Sequence, residues 1–161
     1  MKSVALVMAL SLAAVPAFAQ NRVQVGRAQD GASCPRCNLF QADLSNRELK
    51  DRDYAGARLR QSDLSLSVFN HANFAGADLR DVNGYGALLT SSNFAGADMT
   101  NATFVGAYLE GANLRGARLS GVNFSGAEMD RAIGLSQSQL NAACGDETTK
   151  LPAGLHLPAC R

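Results

Sequence analysis

Every fifth residue from Leu39 to Met129 is drawn from one narrow set of side chains. Seventeen of these nineteen positions hold Leu, Phe or Met, and the exceptions are Tyr54 and Gly84. Two residues before each stands a smaller side chain: eleven Ala, three Ser, two Val, Cys37, and two outliers, Arg47 and Arg52. Asp or Asn commonly stands between the two, as in Ala72-Asn73-Phe74, Ala77-Asp78-Leu79 and Ala112-Asn113-Leu114. A Gly often precedes the Ala, as at Gly76, Gly96 and Gly116. A period of five forbids an amphipathic helix. Five helical residues advance about 500°, or about 140° past a full turn, so the large residues would form no stripe. A flat strand fails too, because an odd step sends successive anchors to opposite faces. The small and the large residue are two apart and can share a face. The other three residues must then turn a corner. Repetition gives a coil with short sides, each pointing one small and one large residue inward. Gly and Asp/Asn suit the corners, where Gly relieves backbone restriction and Asx side chains bond nearby backbone.

Composition agrees with such a core. The chain of 161 residues is 47% hydrophobic but only 6% aromatic, and it has no Trp. Its apolar content excludes global disorder. Charged residues make up 18%, below the usual quarter, and the formal net charge is +1. That balance supplies neither a basic nucleic-acid footprint nor a strongly acidic surface.

The segments outside the repeat have their own signals. Residues 1–19, MKSVALVMALSLAAVPAFA, read as a secretory signal peptide: Lys2, an apolar run from Val4 to Val15, Pro16, and the small-x-small site Ala17-Phe18-Ala19. The run is too short to span a membrane. No Cys follows it closely, so a lipid anchor is not indicated. Cleavage after Ala19 would leave a formally neutral, exported protein, periplasmic or secreted, without a membrane anchor. Residues 20–33 form an N-terminal lead segment. After the repeat, Ser136 is an N-cap with Gln139 as its capping-box partner, and Leu135 and Leu140 occupy the staple positions. With Gly145 as the terminating residue, this predicts a helix over 137–144. The Pro-rich stretch from Leu151 to Cys160 predicts an extended, packed tail, so residues 134–161 form a capping helix and tail.

The A-[D/N]-[L/F]-x-x pattern over residues 34–133 resembles the pentapeptide-repeat proteins. The resemblance implies an all-β solenoid, a right-handed quadrilateral β-helix with four pentapeptides per coil. Nineteen repeats then make about four and three-quarter coils, roughly 23 Å long at ~4.8 Å per coil. In that frame the anchors stack in ladders such as Tyr54, Phe74, Phe94, Leu114 and Leu44, Leu64, Gly84, Phe104, Phe124. Gly84 leaves a gap that Phe104 or a bulge would fill. Arg47 and Arg52 fall in the first coil, where a charged head can leave through an open end. Solenoid ends expose core and strand edges and need caps. The implied length places Cys34 and Cys37 at one end and Cys144 and Cys160 at the other. Disulfides need Cα atoms within about 7 Å, so the expected pairs are Cys34–Cys37 and Cys144–Cys160. An oxidising destination would favour them.

Little chemistry is on offer. Cys34-Pro35-Arg36-Cys37 has the spacing of thiol oxidoreductases, but that motif belongs at a helix start in a βαβ setting, whereas here it opens a coil. Asn38 stands where haem attachment needs His. His71 and His156 are too far apart in the chain's plan to join a cysteine pair around zinc. The pairs Asp43 and Asp63, and Asp78 and Asp98, share faces of successive coils and could imitate a carboxylate dyad, although a solvated wall is the commoner outcome. No Ser-His-Asp set or phosphate loop is present. The expectation is therefore no enzyme: no catalytic residue, no cofactor and no metal site.

The expected role is that of an exported structural or protein-interaction module, with an unknown protein or a second copy as partner and no nucleic acid. The family resemblance also implies a rival, since some pentapeptide-repeat proteins imitate DNA and bind a type II topoisomerase. That role needs an acidic surface in the cytoplasm, whereas residues 34–133 carry eleven acidic and ten basic side chains. A thiol redox protein using Cys34 and Cys37 is the third reading. With twenty residues per coil, outward positions stack as well. Glu48, Val68, Leu88, Tyr108 and Glu128 form one column, and Ser45, Ser65, Tyr85, Val105 and Ser125 adjoin it across a corner. Val68, Tyr85, Leu88, Val105 and Tyr108 thus form a candidate interaction patch with polar ends. The alternative is that Leu155 and Leu157 of the tail fold over that corner.

Overall fold

The computed structural model describes residues 20–161; the expected signal peptide, 1–19, lies outside the described residues. From Asn38 onward the backbone repeats turn, extended residue, bridge, extended residue, turn every five residues. Each side is too short for a long strand, so the sheet consists of single parallel bridges. From Asn38 to Asn113 the bridges join residues twenty apart, as Asp43 with Asp63 and Val68 with Leu88, and beyond these Asn123 pairs with Cys144 and Glu128 with Lys150. Among the described residues of the repeat these bridges fall into four ladders, beginning at Asn38, Asp43, Glu48 and Asp53. Val68 N–H donates to the carbonyl of Arg47 in the coil before, and the Val68 carbonyl accepts from Leu49 N–H. At the corners the chain passes through the left-handed region, at Gln61, Leu66, Gly76 and Gly86 for example.

The anchors fill the interior. All eighteen that carry a side chain are at most 2% exposed. Each contributes about 1.5–3 kcal/mol of gross burial energy. Tyr54, Phe74 and Phe94 stack face to face at 5.3 and 5.1 Å between centroids. Gly84 is buried, and the ring of Phe104 from the next coil occupies its space. Where Ser replaces the inward Ala, its hydroxyl is buried but satisfied. Ser62, Ser67 and Ser92 donate to the carbonyls of Leu39, Leu44 and Phe69 at 2.6–2.8 Å. On the fourth ladder the outward amides form a chain of their own: Asn73 donates to Asp53, Asn93 to Asn73 and Asn113 to Asn93, at 3.0–3.1 Å.

The N-terminal end of the solenoid is covered, which corrects the expectation of an open end. Helix α1 (Arg22–Gln29) starts at Asn21, whose side chain accepts from Gln24 N–H, and turns Val25 and Ala28 into the core. Its glutamines stand in for a missing strand. Gln24 Oε1 accepts from Asn38 N–H at 2.7 Å, and Gln29 Nε2 donates to the Asp43 carbonyl at 2.8 Å. Arg47 therefore does not leave into solvent; its Nη1 donates to the Gln29 carbonyl. The Nε atoms of Arg47 and Arg52 and the hydroxyl of Tyr54 are buried here without hydrogen-bond partners.

At the other end, helix α2 (Gln137–Leu140) carries the capping box that Ser136 and Gln139 encode. It is a single turn, shorter than the 137–144 predicted from its caps. Asn141 is its C-cap, and Gly145 does not end it. The solenoid takes the following residues instead: Ala142 accepts from Gly121 N–H, and Cys144 bridges Asn123. Leu140 is buried, and Gln139 Nε2 covers the carbonyls of Leu114 and Ala117. Gly145 pairs with Ala159 of the tail, while Leu151, Leu155 and Leu157 pack against the core. The two sulfur pairs, Cys34 with Cys37 and Cys144 with Cys160, lie at disulfide distance, with Cα separations of 5.4 and 4.9 Å.

Candidate interaction surface

The third ladder places Val68, Leu88 and Tyr108 on consecutive coils, each bridged to the next. Across the corner, Tyr85 and Val105 are adjacent: Leu66 N–H donates to the Tyr85 carbonyl and Gly86 N–H to the Val105 carbonyl, both at 2.9 Å. The five residues named from the sequence thus share one corner. Tyr85 is 53% exposed and Tyr108 44%, while Val68, Leu88 and Val105 are half-buried. Leu155 and Leu157 pack against the core cluster, and Leu157 lines a depression with Ser125 at the C-terminal end of the same corner column.

A sixth residue belongs here that sequence reasoning overlooked. Leu66 is 56% exposed and has φ of +56°. That conformation favours Gly, Asn or Asp, and a branched apolar side chain there is an outlier. The coils above follow the rule with Gly86 and Gly106. Leu66 reaches over Gly86 so closely that a Cβ there would stand 2.9 Å from its Cδ2. The signal was legible: a Leu in the Gly/Asn column of the pentapeptide. The corner imposes the same positive φ on Gln61, His71 and Ser91, so what sets Leu66 apart is its exposed apolar side chain.

Charged pairs close the strip at both ends. Lys50 Nζ lies 2.6 Å from Glu48, and Lys150 Nζ 2.9 Å from Glu128. Hydrogen bonding to Lys50 holds the Glu48 carboxyl below its ordinary range, and bonding to Glu128 raises the Lys150 ammonium.

The other sequence-selected residues have structural work. Asp43, Asp63, Asp78 and Asp98 each accept from the backbone N–H two residues on, closing the corner as Asx turns. Asp78 is held below the usual carboxylate range, chiefly by its hydrogen bond from Arg80, and a general acid needs the opposite shift. Cys34 and Cys37 are buried at the mouth of the first coil, beneath α1. His71 faces Asp51 at 3.5 Å on the outer wall, while the backbone of His156 bonds Gln137 in the tail region. Among the described residues no cluster of His, Cys, Asp and Glu is arranged to hold a metal. A depression of about 710 Å³ at the C-terminal end is lined by Ser125, Asp146, Thr148 and Cys160 among others. There Asp146 Oδ1 accepts from Gly126 N–H, from Thr148 N–H and hydroxyl and from the Thr149 hydroxyl, and so holds the loop.

Parallel bridges every twenty residues over an inward period of five define a β-solenoid built from pentapeptides. The sequence profile of the Pentapeptide repeats matches in eight copies, over residues 55–83, 67–105, 85–121 and 103–133. The chain belongs to the pentapeptide repeat family, whose fold is a right-handed β-helix. Among solved structures it is similar to a pentapeptide repeat protein from Nostoc PCC 7120, at 22% identity, covering 82% of this chain and 95% of that one, with a TM-score of 0.54. A pentapeptide repeat protein of the Arabidopsis thaliana thylakoid lumen matches at 24% identity, covering 67% of this chain and 60% of that one, with a TM-score of 0.31. QnrB1, a plasmid-mediated fluoroquinolone resistance protein, matches at 19% identity over 78% of this chain and 79% of its own, with a TM-score of 0.37. No curated protein matches the chain significantly. No helix among the described residues is long and apolar enough to cross a membrane.

Proposed function

We propose that this protein is an exported, non-enzymatic β-solenoid of four-sided cross-section that serves as a protein-interaction module. Its contact surface is the corner formed by Leu66, Val68, Tyr85, Leu88, Val105 and Tyr108. The observation that carries this reading is the exposure of three large apolar side chains, Leu66, Tyr85 and Tyr108, at one corner. Four bridge ladders per coil support the four-sided section. Cysteine pairs at disulfide distance, with no free cysteine among the described residues, support an oxidising destination. The near-neutral wall gives no support to imitation of DNA.

Two measurements test the reading. Intact mass of protein recovered from the exported fraction should correspond to cleavage after Ala19; an uncleaved, cytoplasmic product would overturn the export. Replacing Leu88 and Tyr108 together with Asp should abolish binding of the physiological partner while leaving the fold's circular dichroism unchanged. Retention of both binding and oligomeric mass would remove the patch from consideration.

A further inference from the structure

Cleavage after Ala19 leaves Gln20 as the first residue and Asn21, the N-cap of α1, as the second. Gln20 is exposed, and its Nε2 donates to the Gln41 carbonyl at 3.1 Å. The Asn21 side chain accepts from Gln24 N–H, and Gln24 Oε1 in turn accepts from Asn38 N–H on the first coil. The new terminus is thus linked to the edge of the solenoid through two hydrogen bonds. Its charge is unfavourable there. Helix α1 begins with Arg22 and has no acid in its first turn, so an α-ammonium on Gln20 adds a second positive charge at the positive end of the helix dipole.

We infer that Gln20 is a modification site, at which the mature chain closes its new terminus into a pyroglutamyl lactam. This inference rests on the cleavage after Ala19 proposed above. The α-nitrogen attacks the side-chain amide carbon of its own residue. The N–Cδ bond forms, the Cδ–Nε2 bond breaks, and ammonia leaves with a proton taken from the α-nitrogen. The ring has five members, and no oxidant or cofactor takes part. The attacking amine must be neutral, and an α-amino group with an ordinary pKa of about 7.7–8.0 supplies that form near neutral pH.

Closure removes the positive charge from the helix end. The bond from Nε2 to Gln41 departs with the ammonia, and water takes over that exposed carbonyl. The first turn of α1 is then held more firmly. Amide exchange at Val25, whose N–H bonds the Asn21 carbonyl, should slow about two- to five-fold at low salt, the range for one charge at a helix terminus. The difference should shrink in high salt. Closure also leaves no free amine for an aminopeptidase. Without the lactam, loss of Gln20 makes Asn21 the first residue, and loss of Asn21 removes the cap itself. The lactam guards the cover at the N-terminal end of the solenoid.

The full chain, exported with its own leader, is recovered and its N-terminal peptide mapped by mass. That peptide should be lighter by one ammonia than the open Gln20 form. It should resist an aminopeptidase until a pyroglutamyl peptidase has removed the ring. Gln20→Asn keeps an amide but offers only a strained four-membered ring, so it should retain its free amine and be trimmed. A mature chain cleaved after Ala19 that still carries a free Gln20 amine after days at about pH 8 would overturn the inference and leave export standing. Cleavage at another residue would overturn the inference as well. The chemistry is read separately on residues 20–161 released from a fusion by a protease that leaves Gln20 first. There the loss of ammonia should run to completion, and Val25 exchange is compared before and after closure. Completion in that chain beside an uncleaved leader in the cell would overturn the export reading alone. Equal Val25 exchange in the open and closed forms would overturn the effect on the cap.

Discussion

The ring of Phe104 fills the volume that an anchor at position 84 would occupy. A Cβ built on Gly84 would stand 2.5 Å from two of its ring carbons. Gly84 is therefore kept for space, since its φ lies outside the left-handed region. Gly84→Ala should destabilise the protein by about 1–3 kcal/mol through overpacking. In a Phe104→Leu background the same change should cost clearly less, and a double-mutant cycle by chemical denaturation measures the difference. Additive costs would show that the two side chains do not share the space.

Tyr54 heads the aromatic stack with its hydroxyl buried and unpartnered. Burial pushes the phenol up to about 12, against an ordinary value of about 10. A group whose folded pKa is raised supports the fold fully below its unfolded pKa and ceases to do so as pH rises through the folded value. Stability should therefore fall between about pH 10 and pH 12 from this group. Tyr54→Phe keeps the stack and removes the orphaned oxygen, so it should leave the neutral-pH melting temperature unchanged or higher and flatten the alkaline limb. A marked loss of stability at neutral pH would show that the hydroxyl has a partner.

Asp78 carries the corresponding acid limb. Arg80 binds its carboxylate through Nε and Nη2, both at 2.7 Å. The depressed folded pKa means that its contribution is fully present above the unfolded value of about 3.9 and is lost as pH falls through the folded one. Melting temperatures followed from pH 6 to pH 2 should drop less steeply in Asp78→Asn than in the wild type. Parallel curves would remove Asp78 from the acid transition.

The pairing of Cys144 with Cys160 closes a loop of sequence separation 16 and ties the tail beside Gly145. Replacing both with Ser should cost about 3 kcal/mol in the chain-entropy picture. Hydrogen exchange should speed up at Gly145 and Cys160, whose amides bond Pro158 and Gly145, while the middle coils stay protected. Equal acceleration throughout the coils would show that the tail is not a separate unit.

The solenoid was legible in the sequence because its core obeys one short period. Leu, Phe and Met every fifth residue leave no other way of bringing the anchors together. The ends were less legible. Helix α1 shows only Val25 and Ala28 to the core and contains Gly26, with no acid in its first turn, so its amphipathic pattern is faint. It holds its place through the amides of Gln24 and Gln29, which take up backbone partners that hydropathy does not register. Helix α2 announced its start through Ser136 and Gln139. Its end was set by competition, because Ala142 and Cys144 gain ladder bonds to the coil before that a longer helix would forgo. Leu66 was hidden for a different reason. A Leu is unremarkable by composition, and only its column shows that Gly or Asn belongs there.

Core and exterior keep different clocks. Inward residues recur every five, whereas a residue meets its outward neighbour only after twenty. Deleting five residues from the middle would leave each large side chain facing inward, yet it would turn everything beyond the cut by one side of the coil. Tyr108 would then no longer follow Leu88, and the amide chain from Asp53 to Asn113 would break at the cut. Only insertions and deletions of a full coil preserve what the molecule displays. Length can therefore drift in small steps as far as folding is concerned, while recognition admits change only in whole turns.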